Sequence, residues 1–463
     1  MNCSLPPISE LSSNQPGQLL DALRRALDSV SSQTGIIRRV YYEELYHDDP
    51  DFHWAVSEPS NLERIVGNPV ANAGIATAAT PERAAMKAIG ESLERYCAAF
   101  YDENDLALAR RSELPGPAAD PTRFALFSPL QYSAGLKPIR SPSEAAENEP
   151  TGSKRFHYSP IGEQTTLRWA QARSMGSGEV IFVPAAFVFI PYQYDYPNEP
   201  IVSDLVSTGL ACGSSFAEAC YKGLMEVVER DAFMLTWHNR IPARRIALDR
   251  IASPGICDLL HRFRRIPARL EAFVLDVDLG IPVVMAVISG EQRPYHVVGA
   301  AADLSMERAL QLAIEEVALS FCGLRRLCYA NSDWAPEPDY SNVDDLNKHA
   351  LVHAAAPELQ RSLDFLREGK EIDLFAEINR GASWRDHLKH AVGLVSEAGY
   401  DVLAVDLTTP DVDQLGFKVI RAIVPGFQPL DVNHNHRHLG GARLQALSAG
   451  RQDGINPLPH PFP

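Results

Sequence analysis

Two stretches of this chain, 135 positions apart, align without a gap. Gly74–Arg95 reads GIATAATPERAAMKAIGESLER and Gly209–Arg230 reads GLACGSSFAEACYKGLMEVVER. Gly74 meets Gly209, Thr80 meets Ser215 and Lys87 meets Lys222. Glu91 meets Glu226, Glu94 meets Glu229 and Arg95 meets Arg230. A weaker third copy spans Gly299–Glu316, where Ser305, Ala313 and Glu316 match Thr80, Ala88 and Glu91. Its continuation, Leu319-Ser320, lacks the second Glu and the Arg. Such a repeat specifies one supersecondary unit used more than once. Each copy has the grammar of a strand end, a Ser/Thr N-cap and a helix. Thr80, Ser215 and Ser305 are placed to cap, and Pro81 suits a first helical position. The small residues before each cap allow close backbone approach and leave helix N–H groups for an anionic ligand.

Around the repeats, strand-like runs fall at 179–190, 270–275, 281–288, 296–300, 401–406 and 416–423. Helical runs fall at 81–101, 215–238, 306–329, 357–367 and 384–398. The mixture predicts an α/β or α+β fold, with helices packed on mixed sheets. Residues 1–34 form a Ser/Pro/Gln-rich segment with one amphipathic stretch, LLDALRRALDSV. The main domain runs 35–440 with a surface insertion about 112–152, and 441–463 is a Pro-rich tail.

The 59 acidic against 43 basic residues give a net charge of −16. That balance argues against nucleic-acid and anionic-membrane binding, and leaves carboxylates for divalent cations. The best apolar run, 180–190, is too short to span a bilayer and holds Pro184. The first residues lack the basic and apolar regions of a secretory signal. Seven scattered cysteines, with no CxxC pair, read as buried thiols in a cytoplasmic protein.

In the first two copies the Glu residues stand three positions apart, so they neighbour each other on one helix face. One such pair reads as a solvated face of an amphipathic helix. Two pairs with the same Lys, Glu, Glu, Arg order point instead to a shared cavity. Four gathered carboxylates repel unless hard cations neutralise them, and all-oxygen ligation favours Mg²⁺ serving a phosphate ligand. Neither a Walker A sequence nor GxGxxG is present.

These motifs together resemble the YcaO family. They are Glu91-Ser-Leu-Glu-Arg95, then Ser207-Thr-Gly-Leu-Ala-Cys-Gly213 with Glu218-Ala219 and Glu226-Val-Val-Glu-Arg-Asp231, then Ala313-Ile-Glu-Glu316. The resemblance covers roughly 35–463 and implies a nonstandard ATP–Mg²⁺ site. It implies that Glu91, Glu94, Glu226 and Glu229 hold Mg²⁺, that Arg230 meets phosphate, and that Ser214 and Glu218 meet the nucleoside. Lys87, Arg95 and Glu316 are assigned to the same cofactor site. The sequence departs from the family at Ala76-Thr77-Ala78, where many members have Gly-Lys-Gly, and at Leu319 and Ser320. Arg325 or Arg326 is the expected substitute phosphate contact.

The chain ends Asn456-Pro-Leu-Pro-His-Pro-Phe-Pro463, whose alternating prolines fix an extended rod. It resembles the terminal PxPxP of azoline-forming family members, where the tail reaches the active site. Pro461 and Pro463 are therefore candidate catalytic positions, with a carboxylate at Pro463 or a nearby side chain moving protons. The tail itself is expected to add little to any core. His434, His436 and His438 suggest a metal but lack a supporting Cys or carboxylate cluster, and read as a surface or phosphate-facing loop.

The resemblance implies a peptide cyclodehydratase using ATP and Mg²⁺ to turn Cys, Ser or Thr of a ribosomal precursor peptide into thiazoline or oxazoline. The implied partners are the precursor peptide, an E1-like (ThiF-type) or other leader-binding protein and a flavin-dependent dehydrogenase, with homodimerisation as a further possibility. The alternatives are a thioamide-forming relative, a non-catalytic ATP-binding or peptide-interaction scaffold, and an acidic interaction protein.

Overall fold

The computed structural model describes residues 3–4, 17–63, 73–124, 126–136, 158–195, 197–204, 206–359, 361–374, 383–449 and 454–462. Its strands are β1 (Cys3–Ser4), β2 (Ile37–Tyr42), β3 (His53–Pro59), β4 (Gly74–Ala78), β5 (Ala107–Ala109), β6 (Leu167–Ser174), β7 (Val180–Pro184) and β8 (Leu210–Gly213). The later strands are β9 (Arg244–Ile246), β10 (Ala268–Leu275), β11 (Val283–Gly290), β12 (His296–Ala302), β13 (Glu371–Ile372), β14 (Leu403–Asp406) and β15 (Lys418–Ile423). The helices are α1 (Gly17–Leu27), α2 (Pro81–Ala99), α3 (Pro129–Ala134), α4 (Phe216–Asn239), α5 (Pro254–His261), α6 (Met306–Ala330), α7 (Leu346–Ala355), α8 (Trp384–Glu397), α9 (Pro410–Gln414) and α10 (Ala442–Ser448).

Three sheets have the orders β1-β2-β3-β4, β12-β11-β10-β9-β13 and β5-β6-β14-β15-β8, with β7 beside β6. The three repeat strands β4, β8 and β12 each end a sheet. Each is followed by its repeat helix, capped as expected: Thr80, Ser215 and Ser305 accept from the N–H groups of Arg83, Glu218 and Arg308. The units then close on one another. Helix α2 packs on β8 of the second copy, α4 on β12 of the third, and α6 on β4 of the first. Within this ring, close seating of a strand on its own helix explains the glycine that opens the first and third copies. A Cβ at Gly74 would overlap the backbone of Ala88, and one at Gly299 the backbone of Glu316 and Val317. In these two copies only glycine lets the helix lie that close to its own strand.

The amphipathic stretch near the N-terminus is α1, which packs on α2 with Leu23 and Ala26 fully buried. Two expectations fail locally. The run 179–190 stops as a strand at Pro184 and continues as a 3₁₀ turn (Ala185–Phe187), since Pro184 lacks the N–H a ladder needs. The run 357–367 forms two short 3₁₀ turns, Pro357–Leu359 and Asp364–Glu368, not an α-helix. The insertion contains α3 near its middle, and from residue 137 onward it lies outside the described residues. Helix α7 escapes the sequence reading because it is buried on nearly every side and carries no amphipathic stripe.

Candidate active site

The repeat helices bring their glutamates within electrostatic reach of one another. Glu91 of α2, Glu226 of α4 and Glu316 of α6 occupy the same position in their copies. They also sense one another: Glu226 and Glu316 both repel charge on Glu91. Each pair is anchored through the strand backbone. Glu91 Oε2 accepts from the Ile75 N–H at 2.9 Å, and Glu226 Oε2 from the Gly209 N–H at 3.2 Å. Glu94 Oε1 reaches across to the second copy and accepts from the Cys212 N–H at 2.8 Å. That amide is available because β8 is an edge strand, paired to β15 on one side only.

The carboxyls are held against their usual charge. Desolvation, opposed by Arg95 and reinforced by Glu91 and Glu226, pushes Glu94 up to about 8. Burial, opposed by Arg230 and reinforced by Glu226 and Glu316, pushes Glu229 up to about 8. Glu91 is raised by the same desolvation, although a third of its side chain is exposed. Arg95 lies 3.5 Å from Glu91, and Arg230 lies 3.2 Å from Glu229 and 3.8 Å from Glu226. Two arginines do not balance this acid load, which is the condition a divalent cation relieves. Among the described residues no three carboxylates, imidazoles or thiolates are gathered to grip one ion as the side chains stand. Mg²⁺ does not need such a cage, since it keeps waters and takes one or two carboxylates plus phosphate oxygens. The donor set therefore fits Mg²⁺ presented with a nucleotide.

Beside the second pair, the Ser214 N–H and hydroxyl donate to Glu218 Oε2 at 3.0 and 2.6 Å, and Lys222 meets Glu218 Oε1 at 2.7 Å. Burial alone would raise Glu218, but Lys222 and Ser214 hold its carboxyl below the ordinary range. Lys87 lies elsewhere in its network. It donates to the Thr77 carbonyl at 3.1 Å and meets the fully buried Glu315 at 3.5 Å, with Arg83 at 3.4 Å from the same carboxylate. Thr77 Oγ1, in the Ala76-Thr77-Ala78 departure, donates to the Glu315 carbonyl at 2.6 Å. Arg325 and Arg326 are both engaged away from the glutamates. They pair with Asp48 and Asp49, and their guanidiniums lie over Tyr46.

Sequence reasoning missed Arg421. This buried guanidinium on β15 donates to the carbonyls of Phe187 (3.1 Å) and Val206 (2.7 Å). Burial lowers it to about 10, and Glu226 partly restores it. The signal was available, because an arginine interrupts an otherwise apolar strand core, KVIRAI.

The tail reaches the second Glu pair, and two expectations about this region need correction. Phe462 is 1% exposed and packs into the main core, so the tail is part of that core. Its ring lies 4.0 Å from the Arg230 guanidinium and edge-on to Phe233 at 4.9 Å. Pro461 is buried beside it, while Pro463 lies outside the described residues. His434, His436 and His438 are buried too, not on a surface loop. His438 is drawn in because Asp431 is buried and needs donors, whereas His436 Nδ1 lies 3.6 Å from Asp204 and the His434 ring stands edge-on to His349. Asp431 Oδ1 accepts from the His438 N–H at 2.7 Å and faces His438 Nδ1 at 2.9 Å, and His238 Nε2 lies 3.0 Å from Asp431 Oδ2.

A family model described as YcaO cyclodehydratase, ATP- and Mg²⁺-binding, matches residues 76–428, and the chain belongs to that family. ATP and Mg²⁺ are the cofactors, and the family description names an ATP-dependent class of enzyme. The chain is 30% identical over 280 residues to a protein of Methanothermobacter thermautotrophicus named only as uncharacterized, covering 58% of this chain and 68% of that one. Among solved structures it is similar to a heterocyclase in complex with substrate and cofactor. There the TM-score is 0.72 and the identity 19%, and the whole chain spans 59% of the heterocyclase's length. It is also similar to a YcaO protein from Methanopyrus kandleri bound with AMPPCP and Mg²⁺. That match has a TM-score of 0.57 and 20% identity, and covers 85% of this chain and 86% of that one. At these identities the likeness to both structures is one of fold. No helix among the described residues is long and apolar enough to cross a membrane, and the described cysteines Cys97, Cys212, Cys220, Cys257, Cys322 and Cys328 are free.

Proposed function

We propose that the chain is an ATP-dependent peptide cyclodehydratase, closing Cys, Ser or Thr side chains of a ribosomal precursor peptide into azolines. The observation that carries this reading is the set of five glutamates from three repeat helices, two of them held near pKa 8. Bound ATP supplies the phosphoryl group that makes the peptide carbonyl oxygen a leaving group. Glu91, Glu94, Glu226 and Glu229 would hold Mg²⁺, with Arg95, Arg230 and Glu316 around the phosphates. Ser214 and Glu218 would meet the nucleoside. Lys87 enters this reading through Glu315, as a support for α6 rather than a phosphate contact. The enzyme's contribution is positioning and charge neutralisation in a recessed site.

The tail favours azoline over thioamide formation, because Phe462 lies against Arg230 of the second Glu pair. Substrate capture depends on a separate leader-binding protein of the E1-like type, and a flavin-dependent dehydrogenase would oxidise the azoline. A cytoplasmic setting and a homodimer complete the proposal. The test is the mass of a precursor peptide after incubation with the chain, ATP, Mg²⁺ and the leader-binding partner. Loss of one water per modified residue supports the reading. Replacement of oxygen by sulfur, or an unchanged mass with no ATP turnover, would sink it.

A further inference from the structure

The tail runs backwards along α4, and helix geometry explains its start. The last carbonyls of a helix lack intrahelical partners. At the end of α4, the His238 carbonyl accepts from the Asn456 N–H at 2.8 Å and the Trp237 carbonyl from Asn456 Nδ2 at 3.2 Å. Trp237 Nε1 then donates to the Leu458 carbonyl at 3.2 Å, and His353 Nε2 stands 2.7 Å from the Pro459 carbonyl. These contacts hold the first half of the rod. They do not hold its end, because prolines carry no N–H and Phe462 has only apolar and cation–π contacts among those described.

One polar contact remains between the rod and its end. His460 Nε2 lies 2.7 Å from the Asp431 carbonyl oxygen, which makes Nε2–H the donor. The acceptor is rigid, since the Asp431 carboxylate is gripped by His438 and His238. One face of the His460 ring is covered by His349 of α7, stacked at 4.0 Å between centroids and 19° between planes. Both imidazoles are at least nine-tenths buried. Burial also keeps them neutral: His460 is lowered to about 4 and His349 well below the ordinary histidine range.

We propose that His460 is a positioning residue, whose hydrogen bond to the Asp431 carbonyl seats Phe462 on the Arg230 guanidinium. The Phe462 ring covers one face of that guanidinium and leaves its edge to Glu226, Glu229 and the nucleotide phosphates. This consequence for turnover rests on the cyclodehydratase reading, whereas the seating itself does not.

The test uses the full chain with 4-fluorophenylalanine at position 462, read by ¹⁹F NMR, together with kinetics on unlabelled protein. His460→Phe fills the same space and can stack under His349, but cannot donate. His460→Gln donates from Nε2 without stacking. H460F is expected to move the fluorine resonance toward its solvent value and to lower kcat for peptide dehydration by about tenfold or more. The KM for ATP should stay within about twofold. H460Q should keep resonance and kcat near those of the unsubstituted chain. His349→Leu, which removes only the stacked ring, should move the resonance less than H460F; if H460F does not fold, H460Q decides, and a resonance displaced from that of the unsubstituted chain overturns the proposal. The proposal is overturned if the resonance stays put in H460F, if H460Q is displaced as far as H460F, or if H349L is displaced more. A displaced H460F chain with undiminished kcat also overturns it. An unsubstituted chain that makes no azoline, yet shows the H460F-dependent displacement, would refute the cyclodehydratase reading and leave the seating intact.

Discussion

Glu94 Oε1 lies 2.8 Å from the backbone nitrogen of Cys212, so a carboxylate of the first repeat closes the sheet edge of the second. Its structural and its cation-binding duties can be separated. Glu94→Gln keeps an acceptor for that amide and should leave stability nearly unchanged. Glu94→Leu strips the amide of its partner and should cost about 1–3 kcal/mol in urea denaturation. Both should lower ATP turnover about a hundredfold or more, because each removes a charge that Mg²⁺ needs.

The raised carboxyls at Glu94 and Glu229 make the nucleotide-free chain sensitive to alkali. Their folded pKa values near 8, against an ordinary 4.5, mean that their contribution to stability is complete below about pH 4.5. It is lost as pH climbs through 8. Between pH 6 and 9, Tm of the nucleotide-free chain should fall by on the order of 2–5 °C, and the fall should shrink in the double variant E94Q/E229Q. Mg²⁺–ATP should reverse it and release protons on binding near pH 7. Calorimetry in two buffers of different ionisation enthalpy measures that release. Proton uptake would contradict the assignment.

Lys87 tests where the sequence argument and the geometry part. As a phosphate contact, its loss should lower ATP affinity at constant stability. Its position against buried Glu315 predicts the reverse. Lys87→Met should destabilise the fold by about 3 kcal/mol, since it leaves a buried carboxylate with Arg83 alone. Adding Glu315→Met should recover most of that loss. Denaturation curves of the two single variants and the double variant decide it.

What the sequence disclosed is what the repeat encodes. Thr80, Ser215 and Ser305 could be placed as caps because capping is local chemistry, readable from residue type and spacing. The Glu pairs could be matched because helical spacing puts i and i+3 on one face. The ring was not legible, since it depends on β4, β8 and β12 all falling at sheet edges. Nothing in GIATA, LACG or HVVGAAA states that. The histidines were misread for a related reason. HNHRH is polar in sequence, and its burial depends on the neighbouring Asp431 being itself buried and on the returning tail packing over it, neither of which residue type discloses.

The close seating of β12 on α6 should be intolerant of any side chain. Gly299→Ala would press a methyl into the backbone of Glu316 and Val317, and backbone cannot swing aside as a flexible side chain can. A loss of about 1–3 kcal/mol is expected in urea denaturation. A weaker Kd for Mg²⁺–ATP by isothermal titration should accompany it, because Glu316 moves with the helix. A variant of undiminished stability and affinity would mean that the ring accommodates more than its geometry implies.

The pairing of Glu315 with Lys87 and Arg83 gives the three copies unequal evolutionary freedom. The third copy has Leu319 and Ser320 where the other two have the second Glu and the Arg, so those positions answer to packing. Position 315 answers instead to bases carried by the first copy. Across related chains the acid at 315 and the bases at 83 and 87 should therefore disappear together rather than singly. A repeat that lacks part of the paired chemistry thus still serves as the counter-charge for its neighbour.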